Sequence, residues 1–402
     1  MKRRILFVDD EPNVLEGLRR MLRPMRREWD MLFTEGGEQA LDILGSEPCD
    51  VVVSDMRMPG MDGARLLSRV AREYPRTVRI VLSGHSDKEL IMESVRTAHQ
   101  YLSKPCNADV LKATVARACA LRDLLENESL KGIVSRMDTL PSLPSLYAEL
   151  MEELQSPEAS TRRVGEIVSR DVGMSAKILQ MVNSAFFGLC EHVSSPAQAA
   201  GLLGIENVRG LVLSVQIFSE FDQKHFPGGL LDHLWNHSMA AGVAAKAIAT
   251  GENLPQASAD HAFMAGLLHD SGKLVLASRL PDRYGAILLL AKKSGMRVHR
   301  AELESFGTTH AEIGAYLMGL WGLPDTIVEA IAFHHRPADC PVREFGPLTA
   351  VHAANALLNE IEADEDGGAL DEPYISEMGL TQRIPLWRDG CLEAVEQGVT
   401  NA

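Results

Sequence analysis

Acidic, hydroxyl and lysine side chains follow several short apolar runs in the first part of this chain. Asp55 closes the run VVVS and precedes a Pro/Gly loop, MPGMDG. Asp9 and Asp10 follow the run RILFV, Ser83 follows VRIVL, and Lys104 follows QYLS. Each run has the length and composition of a buried strand, and the carboxyl ends of parallel strands meet at one edge of a sheet. We therefore expect three carboxylates, one hydroxyl and one ammonium in one pocket.

This set of side chains is suited to phosphoryl transfer. Three neighbouring carboxylates repel one another unless a cation neutralises them, and hard oxygen ligands suit Mg²⁺. A carboxylate can act as a nucleophile and form an aspartyl-phosphate. An ammonium group can hold a phosphoryl oxygen as a point charge. The residue types therefore predict phosphorylation of Asp55, with Lys104 and Ser83 binding the phosphoryl oxygens.

Residues 1–122 resemble the receiver domain of two-component response regulators, the chemotaxis receiver among them. The resemblance rests on the loop MPGMDG and on Asp9, Asp10, Asp55, Ser83, Lys104 and Pro105. It implies that Asp10 and Asp55 bind Mg²⁺ with the main-chain carbonyl of Arg57, while Asp9 acts mostly through water. It also implies that Tyr101 is the aromatic residue that reorients when Ser83 closes on the phosphoryl group. A sensor histidine kinase or a phosphotransfer protein is the implied phosphodonor.

The alternation of strands and helices predicts the fold of this region. Strand and helix alternate five times, which indicates a doubly wound, five-stranded parallel sheet of the flavodoxin-like type. The last helix starts near Ala108 and keeps a three-and-four apolar spacing through Leu121, Leu125 and Leu130. One interpretation is a helix that packs on its own sheet and frays at its end. The other is a helical linker over residues 123–137 that continues this helix, either as a connector or as a coil through which two chains form a homodimer.

Length and composition limit the class of protein. A chain of 402 residues predicts two or three domains, and 46% hydrophobic with 24% charged residues is typical of soluble globular proteins. No run of 18 apolar residues occurs, so neither a membrane span nor a membrane partner is expected. The N-terminus MKRRILFVDD enters a strand at once, which argues against a cleaved signal.

Cysteine usage and charge point to the cytoplasm and away from DNA. The six cysteines form no CxxC pair and are best interpreted as reduced thiols of a cytoplasmic protein. The formal net charge of -15 opposes contact with nucleic acid phosphates. Direct DNA binding is therefore not expected.

Strand signals disappear after Gly132, and the second half is predicted to be all-α. Amphipathic stretches of helical spacing alternate with Pro, Gly and Ser from residue 138 to residue 360. The remaining residues, 361–402, contain an acidic, glycine-containing segment and are expected to form a loop and a C-terminal tail.

Histidines in the helical half have the types and context of metal ligands. The candidates are His237, His269, Asp270, His310, His334 and His335. Imidazoles and a carboxylate from several helices can bind a transition metal such as Fe or Mn. A bound metal can turn water into a nucleophile.

Residues 135–360 resemble the HDOD domain, an output module related to the HD superfamily of metal-dependent phosphohydrolases. The resemblance is carried by LPSLPSLYAELMEEL, SRDVGMSAKILQMVNSAFFG, WNHSMAAG, AGLLHDSGKL and HAEIGAYLMGLWGLPDTIVEAIAFHHRP. HDOD domains are regarded as noncatalytic signalling or scaffolding modules. The resemblance therefore implies an unidentified downstream protein or nucleotide ligand.

One position departs from the pattern of the active HD enzymes. Their first metal site ends in a late aspartate, and the matching residue here is Asn355, beside His237, His269 and Asp270. A neutral carbonyl oxygen replaces a charged one, so metal affinity should fall. His310, His334 and His335 match further ligands of the branch that hydrolyses cyclic dinucleotides, although the glycine-tyrosine-proline motif of that branch is absent.

Two functions follow from these resemblances. The first is a response regulator that is phosphorylated on Asp55 and signals through a noncatalytic HDOD domain by binding a protein or a ligand. The second is a metal-dependent phosphodiesterase that acts on a cyclic dinucleotide under the control of the receiver.

Overall fold

The N-terminal part of the chain is a parallel sheet covered by helices. The computed structural model describes residues 2–83, 97–125, 127–137, 140–142, 144–156, 159–183, 193–205, 208, 219–220, 230–362 and 368–400. The strands are β1 (Arg3–Val8), β2 (Trp29–Thr34), β3 (Val51–Asp55), β4 (Val78–Ser83) and β5 (Gln100–Ser103). They pair in parallel in the order β2-β1-β3-β4-β5. The predicted five-stranded doubly wound sheet is confirmed.

Alternating residues of the strands build an apolar core on each face of the sheet. The helices are α1 (Pro12–Met21), α2 (Gly37–Ser46), α3 (Gly63–Glu73) and α4 (Ala108–Leu124), with a 3-10 turn over Arg23–Arg27. Ile5 and Phe7 of β1 pack into one core, and Leu6 and Val8 pack into the other. This alternation follows from the two-residue period of a strand.

The helix after β5 does not continue as a single rod. It ends at Leu124, and Leu125 has extended backbone angles, φ -115° and ψ 104°. The side chain of Asn127 then accepts hydrogen bonds from the N–H groups of Ser129 and Leu130 and caps a new helix, α5 (Glu128–Val134). The expected linker that continues the last receiver helix is therefore wrong, because extended backbone and a new N-cap interrupt it.

The rest of the chain is largely helical, as predicted. Its first elements are β6 (Pro141–Ser142), α6 (Pro144–Gln155), α7 (Thr161–Ser169), α8 (Val172–Val182), α9 (Pro196–Leu203) and β7 (Ser219–Glu220). They are followed by α10 (Leu230–Gly251), α11 (Gln256–Leu268), α12 (Ser271–Arg279), α13 (Pro281–Ser294), α14 (Val298–Phe306), α15 (His310–Leu320), α16 (Asp325–Phe333) and α17 (Pro347–Ile361). The two short strands pair with each other.

The final residues form helices and not a plain tail. They are α18 (Glu372–Glu377), a 3-10 turn over Thr381–Arg383, and α19 (Ile384–Thr400). Trp387 is buried, and its indole N–H donates to Glu252 at 2.9 Å. The expectation of a loop and tail over residues 361–402 is therefore corrected from residue 372 onward, because apolar side chains of this segment pack on the helical domain.

The two halves share an apolar core and several polar contacts. Buried residues of α4 and α5 join one face of the sheet to the helical half in a continuous cluster. Gln100 donates to the carbonyl of Gly319 at 3.1 Å, and the hydroxyls of Ser135 and Tyr316 lie 3.1 Å apart. The receiver half therefore rests directly on α15.

The structure also bears on the cysteines and on membrane spans. Among the described residues, Cys49, Cys106, Cys119, Cys340 and Cys391 form no disulfide bond, while Cys190 lies outside the described residues. Across the described residues, none of the helices combines the length and the hydropathy that a membrane crossing needs.

Candidate functional site

The polar edge of the sheet lies where the strand order changes direction. β1 lies between β2 and β3, so the crevice at their carboxyl ends is the place where ligands bind in open α/β sheets. Asp9 and Asp10 follow β1, and Asp55 ends β3. Val8 pairs in register with Ser54, which places the two acidic strand ends side by side.

Lys104 lies between two of the predicted acids. Its Nζ is 2.6 Å from Oδ2 of Asp9 and also contacts Oδ1 of Asp55. The N–H of Arg57 donates to Oδ2 of Asp55 at 2.8 Å, and the N–H of Glu11 donates to Oδ1 of Asp9 at 3.0 Å. Lys104 is joined to Pro105 by a cis peptide bond. The sequence-predicted acceptor and its lysine are thus in direct contact.

A glycine allows the loop after Asp55 to fold tightly over the strand end. A Cβ at Gly63 would lie 2.1 Å from the main-chain oxygen of Asp55. The side chain of Asp62 caps α3 by accepting from the N–H of Arg65 at 2.8 Å. The MPGMDG loop therefore ends in a capped helix packed closely against the main chain of Asp55.

Burial and the contact with Lys104 shift the pKa of Asp55 in opposite directions. Burial raises the pKa of Asp55, and the contact with Lys104 only partly offsets this rise. Burial opposes the charged form of Lys104, but the contacts with Asp55 and Asp9 outweigh it and raise the pKa of the lysine. The ammonium therefore stays charged beside the two carboxylates.

The predicted magnesium ligands share this edge, but they do not form a compact cluster. Asp10 is half-buried after β1. Among the described acids of this edge, no three ligand atoms lie within 4.8 Å of one another. Lys104 instead supplies the positive charge between Asp9 and Asp55. The oxygen chemistry of the acids suits Mg²⁺, and the ammonium occupies the space between two of them.

The two remaining receiver candidates are Tyr101 and Ser83. Tyr101 is 8% exposed and packs in the apolar core formed with α2 and α3. Ser83 ends β4, but its side chain lies outside the described part of the structure.

The histidine candidates of the helical half come from the body of α10 and from the ends of other helices. His237 lies on α10, His269 follows α11, and Asp270 precedes α12. His310 is the first residue of α15, while His334 and His335 directly follow α16. Helix ends can deliver side chains from separate helices to one point, and here they form a continuous cluster of imidazoles.

Two glycines allow the helices to pack closely enough to bring these residues together. A Cβ at Gly272 would lie 1.9 Å from the carbonyl oxygen of His310, so α12 and α15 can meet only at a glycine. A Cβ at Gly266 would lie 2.7 Å from the carbonyl oxygen of Ala241 on α10. The first contact brings Asp270 to His310, and the second brings His269 to the helix of His237.

The structure gathers the six candidates into two groups of three. His237, His269 and Asp270 form one group, and His310, His334 and His335 form the other; within each, the ligand atoms lie within 4.8 Å of one another. His310 Nε2 lies 3.1 Å from Asp270 Oδ1, so the carboxylate stands between the groups. The residue types are those that bind divalent transition metals.

Asn355 contacts the first group at the position where the sequence departs from the enzymes. Its Oδ1 lies 2.9 Å from His237 Nε2, and Glu362 Oε2 lies 3.1 Å from the other ring nitrogen, Nδ1. Both nitrogens of His237 therefore have oxygen neighbours. A metal at this group would compete with the amide of Asn355 for the ring.

The second group has a geometry that fits a shared metal ion. His310 Nε2 and His335 Nε2 lie 3.0 Å apart. Two imidazole nitrogens that each bind one ion at about 2.1 Å and about a right angle would be separated by about the same distance. The buried Nε2 atoms of His269 and His334 have no hydrogen-bond partner among the described residues. Such atoms are costly in a buried site unless a ligand satisfies them.

The outer ring nitrogens are held by hydrogen bonds. His269 Nδ1 lies 2.7 Å from the carbonyl oxygen of Gly266, and His334 Nδ1 lies 2.8 Å from that of Ile331. Each carbonyl oxygen accepts a hydrogen bond from Nδ1–H, so Nε2 carries no proton and its lone pair is available to a metal. This is the arrangement that orients metal-binding histidines.

Burial keeps most of these imidazoles neutral. It lowers the pKa of His269 to about 4 and the pKa values of His334 and His335 well below the ordinary value. Burial also opposes charge on His310, but the neighbouring Glu302 and Asp270 outweigh it and raise the pKa of His310 to about 8. Neutral imidazoles are the form that binds metals, so a metal bound at His310 would have to displace a proton from its ring.

Three residues near this cluster were missed from the sequence. Lys273 Nζ lies 2.7 Å from Asp270 Oδ2, Glu302 Oε2 lies 2.6 Å from His310 Nδ1, and Glu362 contacts His237. Lys273 follows Asp270 by three residues on a helix and could have been found by that spacing. Nothing in the sequence marks the two glutamates, because their contacts depend on helix packing.

Two family models match the chain. The response regulator receiver domain matches residues 5–116, and the HDOD domain matches residues 140–337. Together they cover both halves of the structure.

Curated relatives are similar over parts of the chain. An uncharacterized protein of Treponema pallidum (strain Nichols) is 27% identical over 281 residues, 68% of this chain and 50% of the relative. The hydrogenase transcriptional regulatory protein HoxA of Cupriavidus necator is 34% identical over 160 residues, 39% of this chain and 31% of HoxA. The chain therefore spans half of the first relative's length and less than a third of HoxA.

The similar solved structures include a receiver domain and a response regulator. The signal receiver domain of an HD domain-containing protein from Pseudomonas fluorescens Pf-5 is 33% identical, with a TM-score of 0.29, and covers 31% of this chain and 98% of that one. The MmoQ response regulator of Methylococcus capsulatus str. Bath is 24% identical, with a TM-score of 0.48, and covers 62% of this chain and 98% of that one. The two family matches identify the chain as a two-component response regulator with an N-terminal receiver domain and a C-terminal HDOD domain.

Proposed function

We propose that a sensor histidine kinase or phosphotransfer protein phosphorylates this chain on Asp55, and that the HDOD domain then acts by binding a protein or a ligand. The observation that carries the proposal is Lys104, whose ammonium lies between Asp9 and Asp55. We propose that residues 1–122 are the receiver, residues 123–137 the connector and residues 138–360 the HDOD domain. A cytoplasmic location is part of this proposal and rests on the cysteine usage of the sequence.

The receiver residues have separate roles in this proposal. Asp55 attacks the phosphorus atom of the donor's phosphohistidine, and the bond from phosphorus to the histidine nitrogen breaks as the aspartyl-phosphate forms. Lys104 exchanges its contact with Asp55 for one with a phosphoryl oxygen, and Ser83 donates to another oxygen. Magnesium, held by Asp10, Asp55 and the carbonyl of Arg57 with Asp9 acting through water, would neutralise the phosphoryl charge. Tyr101 reorients as Ser83 closes.

The receiver has a direct route to the helical domain. Arg117 on α4 donates to Asp325 at 2.8 Å, and Asn127 donates to the carbonyl of Phe306 at 2.8 Å. Leu121 packs against Gly319 of α15, where a Cβ would lie 2.3 Å from its Cδ2. A change in the β5–α4 region therefore reaches α15 through packed side chains, and phosphorylation biases the arrangement of this contact.

Labelling with a small phosphodonor tests the first function. With acetyl phosphate and Mg²⁺, the wild-type chain should take up one phosphoryl group, and Asp55→Asn should take up none. Asp42→Asn, at an exposed position on α2, is the matched control and should label like the wild type. Stoichiometric labelling of D55N, measured by intact-protein mass spectrometry, would contradict the assignment.

A second candidate function is metal-dependent hydrolysis of a phosphodiester such as a cyclic dinucleotide. It is favoured by the buried Nε2 atoms of His269 and His334, which have no partner among the described residues. A metal bound there would activate water, and Lys273 could bind a phosphate oxygen. Against this candidate, Asn355 replaces a ligand aspartate and contacts His237.

Metal analysis separates the two candidates. Under the second function, protein reconstituted with Mn²⁺ or Fe²⁺ should retain stoichiometric metal and hydrolyse a cyclic dinucleotide, and His269→Ala should lose both. Binding of the dinucleotide without turnover would support a ligand-binding HDOD domain. Absence of metal from the reconstituted wild type would contradict the hydrolase.

A further inference from the structure

Glu302 is a fully buried carboxylate that contacts the histidine cluster from behind. It lies on α14 and has 0% of its surface exposed. Its Oε2 accepts from the main-chain N–H of His310 at 2.8 Å and lies 2.6 Å from His310 Nδ1. Its Oε1 accepts from the hydroxyl of Tyr284 at 3.1 Å. Both carboxylate oxygens of Glu302 therefore have hydrogen-bond partners.

These contacts fix the direction of the His310 ring. With Nδ1 held at Glu302, Nε2 points to Asp270 Oδ1 at 3.1 Å and to His335 Nε2 at 3.0 Å. The neighbouring His269 and His334 have neutral carbonyl oxygens at Nδ1. A carboxylate behind the ring is a stronger acceptor than a carbonyl and makes the imidazole a better electron donor. His310 is therefore the most strongly oriented ring of its group.

We propose that Glu302 is the positioning residue for a divalent transition metal bound by His310, His334 and His335. The carboxylate holds the proton of His310 on Nδ1 and keeps Nε2 directed to the metal. Tyr284 in turn holds the far oxygen of Glu302. This inference rests on the second function proposed above and assigns one buried glutamate to the affinity of that site.

A purely structural role is the competing explanation, because Glu302 also binds the N-terminal N–H of α15. Glu302→Gln keeps the shape of the side chain and can still accept from that N–H, but it removes the charge behind His310. Glu304→Gln is the matched control, since Glu304 lies on the same helix and is exposed. Tyr284→Phe leaves both contacts between Glu302 and His310 in place.

The test is Mn²⁺ binding to the full chain, measured by isothermal titration calorimetry. E302Q should weaken binding by about 10–100-fold, Y284F should weaken it less, and E304Q should match the wild type. NMR of the metal-free chain adds a second readout: the His310 Nδ1 proton signal of the wild type should move in E302Q and stay in E304Q.

The outcomes separate this inference from the function on which it rests. If the wild type binds Mn²⁺ and E302Q binds with the same affinity, Glu302 has only a structural role and the inference is overturned while the metal site stands. That holds even if E302Q lowers the melting temperature of the metal-free chain. If the wild type binds no Mn²⁺, both the metal site and the inference are overturned.

Discussion

At the scale of single residues, both sites balance buried charge with side chains of the chain itself. Lys104 neutralises Asp9 and Asp55, and Lys273 lies 2.7 Å from the buried carboxylate of Asp270. Burial of an isolated carboxylate is costly, so each acid needs a cation or hydrogen-bond donors close by. The same requirement makes each site responsive to an incoming ion or phosphoryl group.

Removal of Lys104 should raise the pKa of Asp55 further. Burial already raises this pKa, and Lys104 opposes the rise, so Lys104→Met leaves burial unopposed by that cation. In metal-free buffer, the Asp55 carboxyl of the wild type should lose its proton at a higher pH than an exposed aspartate does. In K104M, the same carboxyl should lose its proton at a still higher pH. Carbon-13 NMR of the Asp55 carboxyl measures both midpoints. Lys112→Met is the control: it removes a lysine paired with exposed Asp109 and should leave the titration midpoint of Asp55 unchanged. A lower midpoint in K104M than in the wild type would contradict the proposed effect of Lys104.

Restoring the missing acid should strengthen metal binding in the first histidine group. Asn355→Asp puts a carboxylate beside His237 Nε2, where the amide oxygen now lies 2.9 Å away. We expect Mn²⁺ affinity to rise by about tenfold, a change of the size that local groups cause at metal sites. Gln382→Glu adds the same charge at an exposed position outside the histidine groups and serves as the control. Equal affinity of N355D and the wild type in calorimetry would show that Asn355 does not limit the site.

At the scale of elements, strand ends and helix ends place the reactive groups. Asp55 ends β3, Asp270 precedes α12, and His310 begins α15. Close contacts between helices depend on glycine, because a side chain at the crossing would separate their backbones. The positions of such glycines therefore decide which helix ends can meet.

Two glycine substitutions should have opposite effects on stability. Gly272→Ala places a Cβ 1.9 Å from a carbonyl oxygen and should lower the free energy of unfolding by about 1–3 kcal/mol. Gly285→Ala on α13 meets no atom within 4 Å and should raise it by about 0.5–1 kcal/mol, because alanine favours helix over glycine. Urea unfolding of both variants provides the measurement. A neutral or stabilising G272A would contradict the close α12–α15 contact.

At the scale of the whole molecule, α15 connects the two domains. Its first residue, His310, belongs to the histidine cluster, while the carbonyl of Gly319 accepts from Gln100 of the receiver and Tyr316 contacts Ser135 of the connector. The helix is about 16 Å long at 1.5 Å per residue. A shift of the receiver against one end of this helix would therefore reach the histidine cluster at the other end.

A charge in the domain contact should separate the two halves. Leu121 on α4 is 7% exposed and packs against Gly319, so Leu121→Glu would bury an unpaired carboxylate. We expect a loss of about 3 kcal/mol or more and, in calorimetry, two unfolding transitions in place of one. Val110→Glu introduces the same charge on the same helix at a residue that is 50% exposed, and it should behave like the wild type. A single transition for L121E at the temperature of V110E would contradict a tight contact.

Local sequence patterns were sufficient to predict the sheet and the polar side chains at its carboxyl edge. Apolar runs ending in Asp9, Asp55 and Lys104 predicted adjacent strand ends, because parallel strands align their carboxyl ends by geometry alone. The helical half was predicted by its amphipathic spacing. Both inferences needed only the period of the backbone and the chemistry of the side chains.

The break after α4 depended on a local signal that competes with helical spacing. The apolar period continues through Leu125 and Leu130, and both residues are buried. The cap by Asn127 nevertheless ends one helix and starts another. Periodicity predicts which residues are buried, but it does not show whether one helix or two bury them.

By itself, the sequence determined that an acidic strand-end site precedes a helical domain rich in metal-binding residue types. Only the tertiary structure decided that six of those residues form two adjacent groups, that Asn355 contacts His237, and that Glu302 lies behind His310. Strand ends are aligned by hydrogen bonding between neighbours, whereas helix ends meet through side-chain packing between distant segments. Such packing leaves no periodic trace in the sequence.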